Sequence, residues 1–264
     1  MHITSRDNSL LRHARNVRDG KVDELIFVEG LRLCLEARRS KLAIEAVIAS
    51  EELIRKEKGA AAFAELSQVA KRVGTVSEKL LESISYTKTP QGIVVLAERP
   101  EATERRLDAS LTHDTLLIVL HQLNNPVNVG AIVRTAEAAG ATGIITTKNT
   151  SDPFSPKSLR GAMGSAFRLP IWRNTDFDQA VAWCRERKIS LLGTAASAEM
   201  KHTDWDWKRP SALMLGPEST GLSEAELEAA DQTVKIPMQG EVESLNVSVA
   251  AGILLYEAAR QRSA

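Results

Sequence analysis

No apolar run in the 264-residue sequence is long enough to span a bilayer. Its first ten residues, MHITSRDNSL, lack the apolar core of a secretion signal. An intracellular, cytoplasmic protein is therefore expected, with no membrane partner. Cysteine is scarce. Cys34 and Cys184 sit inside apolar, helix-like patterns, and neither has a second cysteine at metal-ligand spacing, which predicts two buried free thiols. The five histidines are scattered with no pair at helical spacing, so no metal site is expected. Net charge is also missing. Lys+Arg 34 balance Asp+Glu 34, so bulk charge does not announce a nucleic acid, and local patches must decide. Two catalytic signatures are absent as well. No Gly-x-Gly-x-x-Gly joins a strand to a helix, which argues against a dinucleotide held by its pyrophosphate. No Gly-x-Ser-x-Gly elbow is present, which argues against a serine hydrolase.

What the sequence does contain is a globular balance, 43% hydrophobic and 26% charged. In SRDNSLLRHARNVRDG, Leu10, Leu11, Ala14 and Val17 recur at helical spacing, with Arg12, Arg15 and Arg18 on another stripe. That stripe reads as a solvated face or as one facing phosphates. Short apolar runs ELIFVEG, IEAVIAS and QGIVVLAE alternate with helical patterns over 31–38 and 51–72, giving a small α/β unit that ends near Glu98. The charged stretch 99–114, opening at Pro100, reads as a linker. From Thr115 the alternation is regular. Strands are predicted in LLIVLHQL, GIITT, FRLPIW, SLLGTA, ALMLG and TVKIP. Helices are predicted over 129–139, 156–163, 177–188, 223–230 and 247–262. This is the pattern of a mostly parallel sheet covered on both faces, with ligands at the carboxyl ends of its strands.

Four loops after strands are rich in Gly, Asn, Ser and Glu: NNPVNVGA, GTAASAE, GPESTGLS and MQGEVESLN. On one edge of one sheet they would make a site. In the first, Asn128 is placed to cap a helix, and Gly130 and Ala131 remove bulk beneath Arg134, whose side chain leans toward the helix start. Open space, helix amides and a guanidinium together suit a polar or anionic ligand. An ordinary cap with Arg134 paired to Glu137 is the alternative reading. Glu218 in GPESTGLS, and Ser244 and Asn246 before the last helix, likewise read as site residues or as plain caps and solvated charge.

The stretches NPVNVGAIVRTA, LMLGPESTGLS and IPMQGEVESLNVSVA resemble, in order and spacing, the three motifs of the SpoU/TrmH family of RNA ribose 2′-O-methyltransferases, within the SPOUT superfamily. The resemblance covers 115–264. SRDNSLLRHARNV, FVEGLRLCLEA and TPQGIVVLAE resemble the α/β RNA-binding domain that many members carry at the N-terminus. Two positions depart from the pattern: Asn125-Pro126 stands where Asp-Pro is frequent, and Pro217 follows Gly216 where a polar residue is common. The expected architecture is an α/β protein: an RNA-substrate-binding domain over 1–98, a linker over 99–114, and a trefoil-knotted SPOUT methyltransferase domain over 115–264.

The resemblance implies S-adenosylmethionine as cofactor. It is a ligand without phosphate, held by Gly216, Ile236 and Leu245 with Thr194, Met238 and Ser244 as neighbours. It implies methyl transfer to a ribose 2′-hydroxyl, served by Arg134 with Asn128, Glu218 and Asn246. A guanidinium stays protonated, with a pKa above ~12, so Arg134 is expected to donate hydrogen bonds to ribose or phosphate. RNA contacts are expected at Arg12, Arg15, Lys157, Arg160 and Arg168. The segment 148–173 sets its basic residues among Phe154, Phe167 and Trp172, as a backbone- and base-binding patch would. The N-terminal domain favours ribosomal RNA of the 23S type. The alternatives are a transfer-RNA methyltransferase, or a non-catalytic RNA-binding or ribosome-assembly protein. The last helix is apolar on more than one stripe, and the family pairs its catalytic domains, so a homodimer through the C-terminal domain is expected.

Overall fold

The structure, a computed structural model, describes Met1–Ser263. The chain forms two compact units: Met1–Pro100 with Phe154–Arg168, and Glu101–Pro153 with Leu169–Ala264.

In the first unit, β1 (His2–Ile3), α1 (Ser9–Arg18), β2 (Leu25–Glu29), α2 (Leu31–Arg39) and β3 (Ile44–Ser50) are followed by α3 (Glu51–Arg55), α4 (Glu57–Ser67), β4 (Arg72–Val76), α5 (Glu78–Glu82) and β5 (Ile93–Glu98). The sheet order is β1-β4-β3-β5-β2. β1, β4 and β3 run parallel, and β5 is antiparallel to both β3 and β2. Asn8 caps α1, its side chain accepting from Leu10 N–H at 2.9 Å. The helix then buries Leu10, Leu11, Ala14 and Val17 on the sheet. The predicted helix over 51–72 is instead two helices, and its last residue, Arg72, opens a strand not read from the sequence. Lys56 is extended, ending α3, and Arg72–Val76 pairs between β1 and β3.

The second unit begins inside the expected linker. Its α6 (Glu104–Asp108) is capped by Thr103 and buries Leu107 completely in the core of this unit, so the stretch 99–114 is not all linker. Then come β6 (Leu116–Leu120), α7 (Pro126–Ala138) and β7 (Gly143–Thr147). α8 (Pro156–Ala162) and α9 (Ser165–Arg168) follow, and both pack within the first unit, although the sequence places them in the C-terminal domain. β8 (Ile171–Thr175), α10 (Phe177–Glu186), β9 (Ser190–Thr194), β10 (Met200–Lys201), β11 (Ser211–Leu215), α11 (Glu224–Glu228), β12 (Gln232–Lys235) and α12 (Val247–Arg262) complete the chain.

The seven strands lie in the order β10-β12-β9-β11-β6-β7-β8, and every pair is parallel. β6, β7 and β11 are buried at every residue, as strands covered on both faces must be. One face packs Leu117, Val119, Trp172, Trp183, Leu191 and Met214 with α10. α7 and α12 pack together. Both cysteines are free and buried, and burial pushes the Cys184 thiol up to about 12. No helix among the described residues is long and apolar enough to cross a membrane, and none of their His, Cys, Asp and Glu side chains group as a metal would require.

Candidate functional site

Because all seven strands are parallel, every loop that follows one emerges at the same edge. β12, β9, β11 and β6 are consecutive in the sheet. The four polar loops singled out in the sequence therefore stand side by side. From β6 the chain steps one way to β7 and β8, while β11 flanks β6 on the other side. The β6/β11 boundary is thus a switch point, the position where open parallel sheets bind ligands.

Two of the loops meet there. α7 begins at Pro126 and not at Val129. Asn125 is its cap, accepting from Val127 N–H at 3.0 Å, and Pro126 fills the first helical position, where no N–H is needed. The reading of Asn128 as the cap is thereby corrected. Asn128 lies in the first turn with only 6% of its surface exposed, and a buried amide must find partners. Its Nδ2 donates to Glu218 Oε1 at 2.7 Å, and its Oδ1 accepts from Asn246 Nδ2 at 3.4 Å. Asn246 caps α12, accepting from Ser248 N–H at 2.9 Å and from Ser248 Oγ at 2.6 Å. A chain of donors thus runs from Ser248 through Asn246 and Asn128 to an exposed carboxylate. Three of the four residues expected to act together are in one hydrogen-bonded set.

Arg134 is not in that set. Six residues after Asn128, it projects roughly 120° away around the helix. It shares a stripe with Val127, Gly130 and Ala131, and is exposed with no hydrogen bond or ion pair among the described residues. The alternative in which Glu137 ties it down does not occur as an ion pair.

The expected cofactor residues cluster at three adjacent strand ends. Thr194 ends β9 and pairs with Val234 of β12; Gly216 follows β11; Ile236 follows β12. Thr194 Oγ1 donates to Met214 O at 3.0 Å, so its hydroxyl braces β9 against β11. At Gly216 a Cβ would lie 2.5 Å from Leu222 N and 2.6 Å from Gly221 C, because the loop folds back on itself, closed by Gly221 N–H to Pro217 O at 2.8 Å. Ile236, Met238 and Leu245 are half-buried and Ser244 is exposed. Half-buried apolar side chains at these strand ends suit the flat apolar face of a purine nucleoside.

The expected RNA residues divide. Arg12, Lys157 and Arg160 are exposed. Arg15 is half-buried, with Nη2 donating to Arg6 O at 2.9 Å, and Arg168 is paired to Glu36 at 3.0 Å. The aromatic half of the patch expected over 148–173 is overturned. Phe154, Phe167 and Trp172 are 2%, 3% and 7% exposed and belong to hydrophobic cores, so no base can stack on them.

Sequence reasoning missed His121, just beyond β6. Its backbone N–H donates to Leu215 O at 2.9 Å, its Nδ1 is 3.0 Å from Thr147 Oγ1, and its ring meets Phe177 edge-on at 4.7 Å. Nε2 lies 2.8 Å from Glu226 Oε1, a close charge contact not aligned as a hydrogen bond. Glu226 in turn forms a capping box with Ser223, so this contact ties the end of β6 to the helix that follows the Glu218 loop. Burial pushes the Glu226 carboxyl up, but Ser223 and His121 outweigh it and leave its pKa below the usual 4.5. A depressed folded value stabilises the protein above 4.5, and that contribution is lost as pH falls through the folded value. Glu226→Gln should therefore be less stable than wild type at pH 7, with a gap that narrows below about pH 4. Urea denaturation at the two pH values checks this; an equal gap at both would contradict it.

Comparison with known proteins adds the following. Residues 115–256 match the family model described as the SpoU rRNA Methylase family, and residues 11–95 match the MRM3-like substrate binding domain. The chain is 36% identical over 204 residues to the 23S rRNA (guanosine-2′-O-)-methyltransferase RlmB of Shewanella oneidensis, covering 75% of this chain and 83% of that one. It is 34% identical over 196 residues to the 23S rRNA (uridine(2479)-2′-O)-methyltransferase of Streptomyces viridochromogenes, covering 72% and 68%. The crystal structure of the SpoU methyltransferase AviRb from Streptomyces viridochromogenes, in complex with AdoMet, superimposes with a TM-score of 0.87 at 27% identity, covering 97% of this chain and 99% of that one.

Proposed function

The chain belongs to the SpoU rRNA methylase family and is an S-adenosylmethionine-dependent RNA 2′-O-methyltransferase, and we propose that it acts on 23S ribosomal RNA through its own cluster of Asn128, Glu218 and Asn246 together with Arg134. The observation that carries the site assignment is the 2.7 Å bond from Asn128 to Glu218, which joins the loops of β6 and β11 at the switch point. The match of 11–95 to a substrate-binding domain, alongside the 23S relatives, supports ribosomal over transfer RNA.

When bound, the cofactor supplies an electrophilic methyl group on sulfonium. Gly216, Ile236, Met238, Ser244 and Leu245 would hold it, and Thr194 would brace the strand ends beneath. Of the clustered side chains only Glu218 can take up a proton; the amides of Asn128 and Asn246 fix the position of its carboxylate. Arg134, exposed on α7, donates to the ribose or its phosphate. The C-terminal chain is proposed to carry the family's knot. Exposed Arg12, Lys157 and Arg160 are proposed to contact phosphates. The test of the substrate is a map of 2′-O-methylated nucleotides in 23S rRNA from cells with and without the protein. One position should lose its methyl group in the absence of the protein; identical maps would contradict the assignment.

A homodimer forms part of the same proposal. Val249, Ile253 and Tyr256 are 51%, 36% and 57% exposed and fall at i, i+4 and i+7 along α12, a continuous apolar stripe facing water. Light scattering at micromolar concentration should give about twice the 28.8 kDa chain mass, and Ile253→Asp should return the chain toward monomer. A wild type that is monomeric and fully active would contradict the dimer.

A further inference from the structure

Resting on the reading of RNA as substrate, we infer that the loop after α5 is a rigid platform on which Tyr86 stacks an unpaired base of that RNA. The loop is held from both sides by charged side chains, Glu29 and Arg18. Glu29, at the end of β2, is only 6% exposed. Its carboxylate accepts from Tyr86 N–H at 2.8 Å, from Thr87 N–H at 3.3 Å and from Thr87 Oγ1 at 2.5 Å. From α1, Arg18 Nη1 donates to Ile84 O at 3.2 Å and to Ser85 O at 3.3 Å. Ile84 itself is fully buried. Four consecutive residues thus have their backbones pinned, two by a guanidinium and two by a carboxylate.

Burying a carboxylate is costly unless it is fully bonded, and here its bonds go to positioning Tyr86. Tyr86 is 46% exposed, and among the described residues its ring has no aromatic or cation–π partner. Exposed Lys88 follows two residues later. On the other side, Ser83 borders a cleft of about 510 Å³ whose lining includes Arg6 and Lys79, with Glu51 set against His2 at 3.4 Å. An exposed ring on a pinned stretch of backbone, with Lys79 and Lys88 on either side of it in the chain, matches a planar base attached to a phosphate. Stacking of this kind accepts any base, because every base has a π-face.

The test uses the full-length protein and an unmodified transcript of 23S rRNA. Tyr86→Ala should weaken binding of the transcript by about tenfold or more, and Tyr86→Phe should bind within about threefold of wild type. The salt dependence of binding should be unchanged in Tyr86→Ala, whereas Lys88→Ala should make it shallower by about one phosphate. Undiminished binding by Tyr86→Ala, or a Tyr86→Phe variant as weak as Tyr86→Ala, would overturn the platform. So would a shallower salt slope in Tyr86→Ala, or a wild type that does not bind the transcript. If the wild type binds through Tyr86 yet methylates no 23S nucleotide, the platform stands and the proposed substrate falls.

Discussion

Arg134→Ala should lower methyl transfer by on the order of a hundredfold or more, with cofactor binding and the unfolding midpoint near wild type. The side chain is exposed and makes no bond within the described fold, so its removal leaves no buried group unsatisfied. Surface changes of that kind usually alter stability by less than about 0.5 kcal/mol. What is lost is a positioned cationic donor. Neighbouring Val127 is exposed as well, while Gly130 is buried and Ala131 half-buried on the same stripe. Arg134→Lys should recover only part of the rate, because an ammonium cannot reproduce the planar fork. Steady-state rates at saturating cofactor and transcript, with calorimetric titration of S-adenosylhomocysteine, separate these effects. A rate within a few-fold of wild type would remove Arg134 from the reaction.

Gly216→Ala should act through the cofactor and the fold together. The added carbon would meet backbone, at 2.5 Å from Leu222 N and 2.6 Å from Gly221 C, and backbone cannot swing aside as a flexible side chain can. The loop 217–221 must shift, carrying Glu218 away from Asn128 and opening the strand end. A stability loss of about 2–3 kcal/mol is expected. Affinity for S-adenosylhomocysteine should fall by about tenfold or more, which is about 1.4 kcal/mol or more of binding free energy. Normal affinity in Gly216→Ala would show that the loop tolerates the change or that the cofactor lies elsewhere.

Local rules carried much of the fold. GIITT and VSVAAGILLYEAARQR become β7 and α12 with the bounds read from pattern alone, since each is apolar with clear punctuation at its ends. Errors arose where one local rule hid another. Asn128 looks like a cap only until the Asn125-Pro126 pair is recognised as cap and first helical residue. FRLPIW looks like one strand, but Phe167 and Arg168 end a short helix and the strand starts after Pro170. RVGTV is not among the apolar runs read as strands, because its pairing is decided by β1 and β3 on either side.

The site was less legible. Asn128, Glu218 and Asn246 are separated by 90 and 118 residues, and no periodicity brings them together. Resemblance did so, and the parallel sheet explains how. His121 and Glu226 had no motif to mark them, and their pairing exists only because β6 and β11 are neighbours. The basic segment shows the opposite fault. Its aromatics had the spacing of a base-binding patch, yet Phe154, Phe167 and Trp172 were needed inside the cores.

The most direct test of the account exploits the chemistry of the product. Alkaline cleavage of RNA requires a free 2′-hydroxyl, so a ribose methyl group protects the next phosphodiester bond and a base methyl group does not. The purified protein would be incubated with unmodified 23S transcript and methyl-labelled S-adenosylmethionine, and the RNA then hydrolysed in alkali. Label recovered in a single alkali-resistant dinucleotide, and lost in Arg134→Ala, is the predicted result. Label recovered only in mononucleotides, or no incorporation by the intact protein, would contradict 2′-O-methylation of 23S rRNA by this site.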